Sequence, residues 1–281
     1  MPDKIRDFRK CREYLICIDS DGCVMDTMDT KHKTCFGPCL IEAWGLGPWK
    51  DRILCRWNEI NLYSATRGIN RFLGLAQILE EIDREITPVE GVADLKAWAE
   101  GSRELSNDGV RRAWERTGRS IFEKALRWSE QVNRQIRAMD PKEKRAFAGT
   151  REALEKAHAI ADVVILSSAN RQAVQEEWER QGFLPYTDLV LAQDAGTKAE
   201  CVRLLLQLGY DPDRVLVIGD APGDCQAALE NQALYYPILV KREPESWNRF
   251  TEEASEKLVA GGYRGAYQDQ VLKEFWENLE K

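Results

Sequence analysis

Five short apolar runs constrain the fold of this chain more than anything else in it. They are YLICI at 14–18, VVIL at 163–166, LVLA at 189–192, VLVI at 215–218 and YYPILV at 235–240. All are rich in Val, Ile and Leu, and none shows the polar alternation of a strand with one wet face. Such runs read as strands buried on both sides, the kind found in parallel sheets. Helical patterns separate the later runs. TREALEKAHAIA (150–161) precedes the second. Another helix, 198–208, is bracketed by a Thr197/Glu200 capping box and by Gly209 at its stop. This alternation predicts an α/β class fold, a doubly wound parallel sheet with helices on both faces.

Between the first run and the 150–161 helix lie about 120 residues without a strand pattern. SIFEKALRWSEQVNRQIRAM (120–139) aligns Ile121, Ala125, Trp128, Val132, Ile136 and Met139 on one stripe, with Ser120 and Glu123 as a capping box and Pro141 beyond its end. NRFLGLAQILEEI (70–82) repeats the pattern through Phe72, Ala76, Leu79 and Ile82. Six of the nine tryptophans fall between 44 and 128, which suits the core of a separate helical domain. The expected organisation is an α/β core of residues 1–26 and 148–281 with a helical domain at 27–147.

Charge and composition exclude several function classes. The net charge is −7, with 21 Lys and Arg against 18 Asp and Glu in residues 27–150 and 19 against 29 elsewhere, or +3 and −10. A segment only mildly basic is not a nucleic-acid surface, and it fits a small anionic ligand instead. No apolar run approaches the roughly 20 residues of a membrane span. The basic N-terminus leads into only five apolar residues that end on Asp19, too short for a secretory signal. The eight cysteines then read as reduced thiols of a cytoplasmic protein. Cys35 and Cys39, in CFGPC, are a lone pair without a second ligand pair and do not by themselves indicate zinc.

Ligands of an open parallel sheet bind outside the carboxyl ends of its strands. The first strand delivers Asp19 and Asp21 in DSDG, the second Ser167 and Ser168 in LSSAN, and the fourth Asp220 and Asp224 in GDAPGD; Lys198 opens the helix after the third. An Asp-Gly pair is also a common turn former. Four carboxylates at one sheet edge, however, repel one another unless a hard cation such as Mg²⁺ joins them. A lysine and a hydroxyl beside them complete a phosphoryl-binding set, in which a free carboxylate can attack phosphorus. His32 and His158 read as structural or exposed, so the sequence offers no histidine nucleophile.

These four segments, in this order and at these strand ends, resemble the motifs of the haloacid dehalogenase (HAD) superfamily. The resemblance spans roughly 1–26 and 148–242. It implies a Rossmann-like core, with 27–147 as an inserted helical cap, and a phosphatase of small phosphorylated metabolites. Asp19 would be the nucleophile and Asp21 the general acid and base. Ser167, or Ser168 if the strand register shifts by one, would bind the phosphoryl oxygens, and Lys198 would offset their charge. Asp19, Asp21 through its backbone carbonyl, Asp220 and Asp224 would hold Mg²⁺. Ser168, Asn170, Arg67 and Arg71 are candidates for binding the rest of the substrate. Asp21 favours ester hydrolysis over dehalogenation. A phosphomutase resembling β-phosphoglucomutase, or a non-catalytic binding protein, are the rival expectations. Cys23 stands where many members carry Thr or Val, and a small thiol fits such a place.

Overall fold

The computed structural model describes residues 3–102 and 104–280. The chain divides into two compact units, Met1–Met28 with Lys144–Lys281, and Asp29–Glu143.

The first unit is built on a five-stranded sheet in the order β3-β2-β1-β4-β5, every pair parallel. The strands are β1 Tyr14–Ile18, β2 Ala161–Leu166, β3 Leu189–Leu191, β4 Val215–Gly219 and β5 Leu234–Pro237. Along β1, Ile16 and Ile18 join one core cluster with Val163, Ile165, Leu216, Ile218 and Tyr236. The alternate residues Leu15, Cys17, Val164 and Val217 are equally buried, so both faces of the sheet are covered. That double burial is why the runs carry no polar alternation. β1 lies between β2 and β4, so the chain reverses its winding beside β1, and the carboxyl ends of β1 and β4 form the crevice of such a sheet.

β2 begins two residues earlier than its apolar run, at Ala161 and Asp162, which align with Tyr14 and Leu15. Asp162 is tolerated inside because its carboxylate accepts from the backbone N–H of Cys11 and Arg12, each at 2.9 Å, and from the Tyr210 hydroxyl at 2.5 Å. At the other edge β5 stops at Pro237, before the end of its apolar run.

The second unit is helical. Trp57 and Trp128 meet edge-on at 6.0 Å in its core, and Phe36 and Phe72 pack against Trp128. The 71–85 and 120–138 helices bury the stripes expected of them, including Phe72, Leu79, Ala125 and Val132. The expected Ser120/Glu123 capping box does not form. The preceding helix ends at Gly118 in the left-handed conformation, and Arg119 is the only residue left to serve as N-cap. Ser120 is therefore already inside the helix, and Glu123 pairs with Arg127 instead. The Thr197/Glu200 box of the first unit forms with both reciprocal bonds.

No helix among the described residues is long and apolar enough to cross a membrane.

Candidate active site

β1 carries Asp19 straight to the sheet edge, where its backbone N–H extends the ladder to the Ile218 carbonyl at 2.9 Å. The next residues turn sharply. Gly22 takes φ 84°, a conformation costly for any side chain, and its N–H bonds the Met25 carbonyl at 2.9 Å. The same turn donates the Val24 and Met25 N–H groups to the Ser20 carbonyl. The Asp21 carboxylate accepts a 2.6 Å bond from the hydroxyl of Thr27, which is fully buried. Nothing in the sequence singled out Thr27 for this role.

β4 supplies the opposite wall. Asp220 follows its last residue. Asp224 sits in the first turn of the Pro222–Glu230 helix and folds back to accept from the Ala221 N–H at 3.2 Å. That return requires Gly219, because a Cβ there would overlap the Asp224 carboxylate. The Gly-Asp pair at the end of β4 thus has a steric cause. Asp19, Asp220 and Asp224 are all buried, and one oxygen from each lies within 4.8 Å of the others.

Lys198 completes the group. It opens the Lys198–Leu206 helix, and its Nζ lies 2.7 Å from Asp19 Oδ1 and 2.5 Å from Asp224 Oδ1. Burial alone would lower the ammonium's pKa, but the charges of Asp19 and Asp224 outweigh it, and the group stays protonated well above its usual range. Burial is also the main influence on Asp224. With repulsion from Asp19 it overcomes the pull of Lys198, and the carboxyl is pushed up to about 6. Three carboxylates and one ammonium thus gather in a buried place. Oxygen donors only, that close and with that charge, fit a divalent hard cation such as Mg²⁺. Cys23 is buried alongside. Burial, then the three carboxylates, push its thiol well above the ordinary range, so it remains protonated and unreactive.

Ser167 and Ser168 separate by environment. Ser167 is buried at the end of β2, where its N–H bonds the Leu191 carbonyl and its Oγ accepts from Ala169 N at 3.1 Å. Ser168 is exposed. Asn170 is occupied as a helix cap, its Oδ1 accepting from the Gln172 and Ala173 N–H groups. Arg67 and Arg71 belong to the helical unit and bond within it. Buried Arg67 donates to the Leu62 carbonyl at 2.6 Å. Arg71 donates to Ser129 Oγ and Asn133 Oδ1, and its guanidinium lies 5.0 Å from the Phe36 ring centre. Of the residues expected at the site, the structure therefore gathers Asp19, Lys198, Asp220 and Asp224 into one directly bonded or adjacent group. Asp21 stands on the same β1 turn.

A family model described as "Hydrolase: haloacid dehalogenase-like hydrolase" matches residues 15–231. No curated protein matches the sequence. Among solved structures, a haloacid dehalogenase-like family hydrolase from Xanthomonas campestris is 13% identical with a TM-score of 0.51, over 92% of this chain and 99% of its own. A haloacid dehalogenase-like family hydrolase from Streptococcus pneumoniae is 14% identical with a TM-score of 0.47, over 93% and 98%. A predicted phosphoglycolate phosphatase from Haemophilus somnus is 15% identical with a TM-score of 0.48, over 80% and 84%.

Proposed function

Because the chain belongs to the haloacid dehalogenase-like hydrolase family, we propose that it hydrolyses the phosphate monoester of a small metabolite, with Mg²⁺, through an aspartyl phosphate on Asp19. One observation carries this reading. The Lys198 ammonium bridges Asp19 and Asp224, and those two carboxylates with Asp220 converge within 4.8 Å in a buried group. A set of turn-forming or surface carboxylates has no reason to bury such repulsion.

On this reading each carboxylate has its own task. An Asp19 oxygen bonds to phosphorus while the ester P–O bond breaks, and the Asp21 proton passes to the departing oxygen. Asp21, now a carboxylate, takes a proton from water. That water attacks the same phosphorus, and the P–O bond to Asp19 breaks, releasing phosphate. Lys198 offsets charge on the transferring group. Ser167, buried where Ser168 is exposed, is the better placed hydroxyl to bind a phosphoryl oxygen. Mg²⁺ would be held by Asp19, Asp220, Asp224 and the Asp21 backbone carbonyl, and when bound it supplies Lewis-acid stabilisation of phosphoryl charge.

The helical unit is proposed as the cap that selects the substrate. Arg67 is buried on the Leu62 carbonyl, so the half-buried Arg71 is the arginine left to test: Ala in its place should raise KM for the true substrate more than for a small artificial ester. The free cysteines suit a reducing, cytoplasmic setting.

The direct test is release of p-nitrophenol from p-nitrophenyl phosphate, with and without Mg²⁺, by the parent and Asp19→Asn. Release that needs the metal and is abolished by the substitution is expected. Release unaffected by the substitution would remove Asp19 from the mechanism. Isomerisation of a sugar phosphate without release of phosphate would mark a mutase.

A further inference from the structure

The turn that follows Asp19 and carries Asp21 accepts hydrogen bonds from two buried tryptophans. Trp178, on the Arg171–Gln181 helix, donates its indole Nε1–H to the Ser20 hydroxyl at 3.0 Å. Trp247, on the Glu243–Arg249 helix, donates its indole Nε1–H to the Cys23 carbonyl, also at 3.0 Å. Both indoles and Ser20 have no exposed surface. Each indole is also fixed by an edge-on aromatic neighbour, Phe183 at 6.1 Å and Phe250 at 6.1 Å. Ser20 lies two residues past the end of β1, and its bond to Trp178 places its hydroxyl against the core cluster that holds Ile16 and Ile18, while Asp19 and Asp21 flank it in sequence. A core whose only demand was packing would place an apolar residue at 20. Here a hydroxyl and an indole N–H satisfy one another in the interior.

Resting on the function proposed above, we propose that Trp178, through Ser20, is a positioning residue that fixes the spacing of Asp19 and Asp21. The two carboxylates do different work on the same phosphoryl group. Asp19 makes the bond to phosphorus as Asp21 gives its proton to the leaving oxygen. Rotation of the peptide between them moves one relative to the other. A small misplacement of a reacting group is costly in rate. The Ser20 anchor opposes that rotation through a fully buried bond, so its loss leaves binding intact and uncouples proton donation from attack.

The test uses the leaving group as its reporter. Parent, Trp178→Phe, Ser20→Ala and the double variant are assayed with Mg²⁺ on phenyl phosphate and on p-nitrophenyl phosphate. The two esters have similar shapes. p-Nitrophenolate departs with little help, whereas phenolate needs the proton. Each single variant should lower kcat on phenyl phosphate about 10-fold, with a much smaller effect on p-nitrophenyl phosphate and KM unchanged on both. The double variant should be no worse than either single one, since both remove the same bond. A merely structural bond would lower the melting temperature and leave the kcat ratio of the two esters at the parental value, and that result overturns the proposal. Additive losses in the double variant also overturn it. Should Trp178→Phe fail to fold, Ser20→Ala alone carries the ratio test. Failure of the underlying reading looks different, because the parent would then release no phosphate, or Asp19→Asn would release it as fast as the parent.

Discussion

At the residue scale, what sets this site apart is the company its charges keep. Lys198 sits between Asp19 and Asp224 in a buried place, so removing it leaves carboxylates that must protonate or repel. Lys198→Met should therefore cost at least about 100-fold in kcat while raising the proton affinity of the Asp224 carboxyl. The position of Asp224, pushed up to about 6 chiefly by burial, gives a pH dependence with a definite sign. Its proton competes with the cation, so metal affinity should weaken as pH falls through about 6 and hold steady above it. The Mg²⁺-induced rise in melting temperature, measured across that range, checks this, and a rise that is the same on both sides of pH 6 contradicts it. Without metal the sign reverses. A carboxyl whose pKa is raised on folding binds its proton more tightly in the native state. Its contribution to stability is full below 3.8 and is lost as pH climbs through about 6. Asp19, Asp21, Lys198, Asp220 and Asp224 were legible as candidates because each ends a strand or begins a helix. Thr27, Trp178 and Gly219 were not. Their roles depend on contacts across six, 158 and five positions of chain, and only Gly219 left even a weak mark, as the glycine before Asp220.

At the scale of elements, the strands could be read because both faces of the sheet are buried and the runs are continuous. The ends of strands were harder. β2 hides its first residues behind Asp162, a charge that looks like loop until its three donors are in place. Tyr210→Phe should remove one of those donors and cost about 1–2 kcal/mol of stability without affecting phosphate release. Helix starts divide in the same way. The Thr197/Glu200 box forms because loop precedes it, whereas Ser120 loses its cap position to a neighbouring helix whose C-cap, Gly118, stands only two residues earlier. Thr197→Ala should destabilise the protein by about 1 kcal/mol in a denaturant titration. Because that helix also presents Lys198, the substitution should lower kcat modestly. Gly219→Ala acts on the β4 end. It should preserve the far-ultraviolet dichroism while abolishing both turnover and the Mg²⁺-induced rise in melting temperature, since Asp224 loses the space it folds into.

At the scale of the whole molecule, three segments that span some 200 residues of chain supply one cluster of side chains. The parallel order, with β1 at the centre, is what brings the ends of β1 and β4 together. Linkage makes the cluster a determinant of stability. Mg²⁺ at 100 times its dissociation constant should stabilise the chain by about 2.7 kcal/mol, and Asp220→Asn should remove most of that gain. The helical unit, by contrast, was legible as helices and as an aromatic core, while the partners of its arginines were not. Its arginines make hydrogen bonds that no pattern of spacing announces. The most direct measurement is chemical. The protein is mixed with p-nitrophenyl phosphate and Mg²⁺, quenched during turnover, reduced with borohydride and mapped by peptide mass spectrometry. An acyl phosphate at the nucleophile is converted to homoserine, so the account predicts homoserine at position 19 and nowhere else. Phosphate released with Asp19 unmodified, or homoserine at another aspartate, would contradict it.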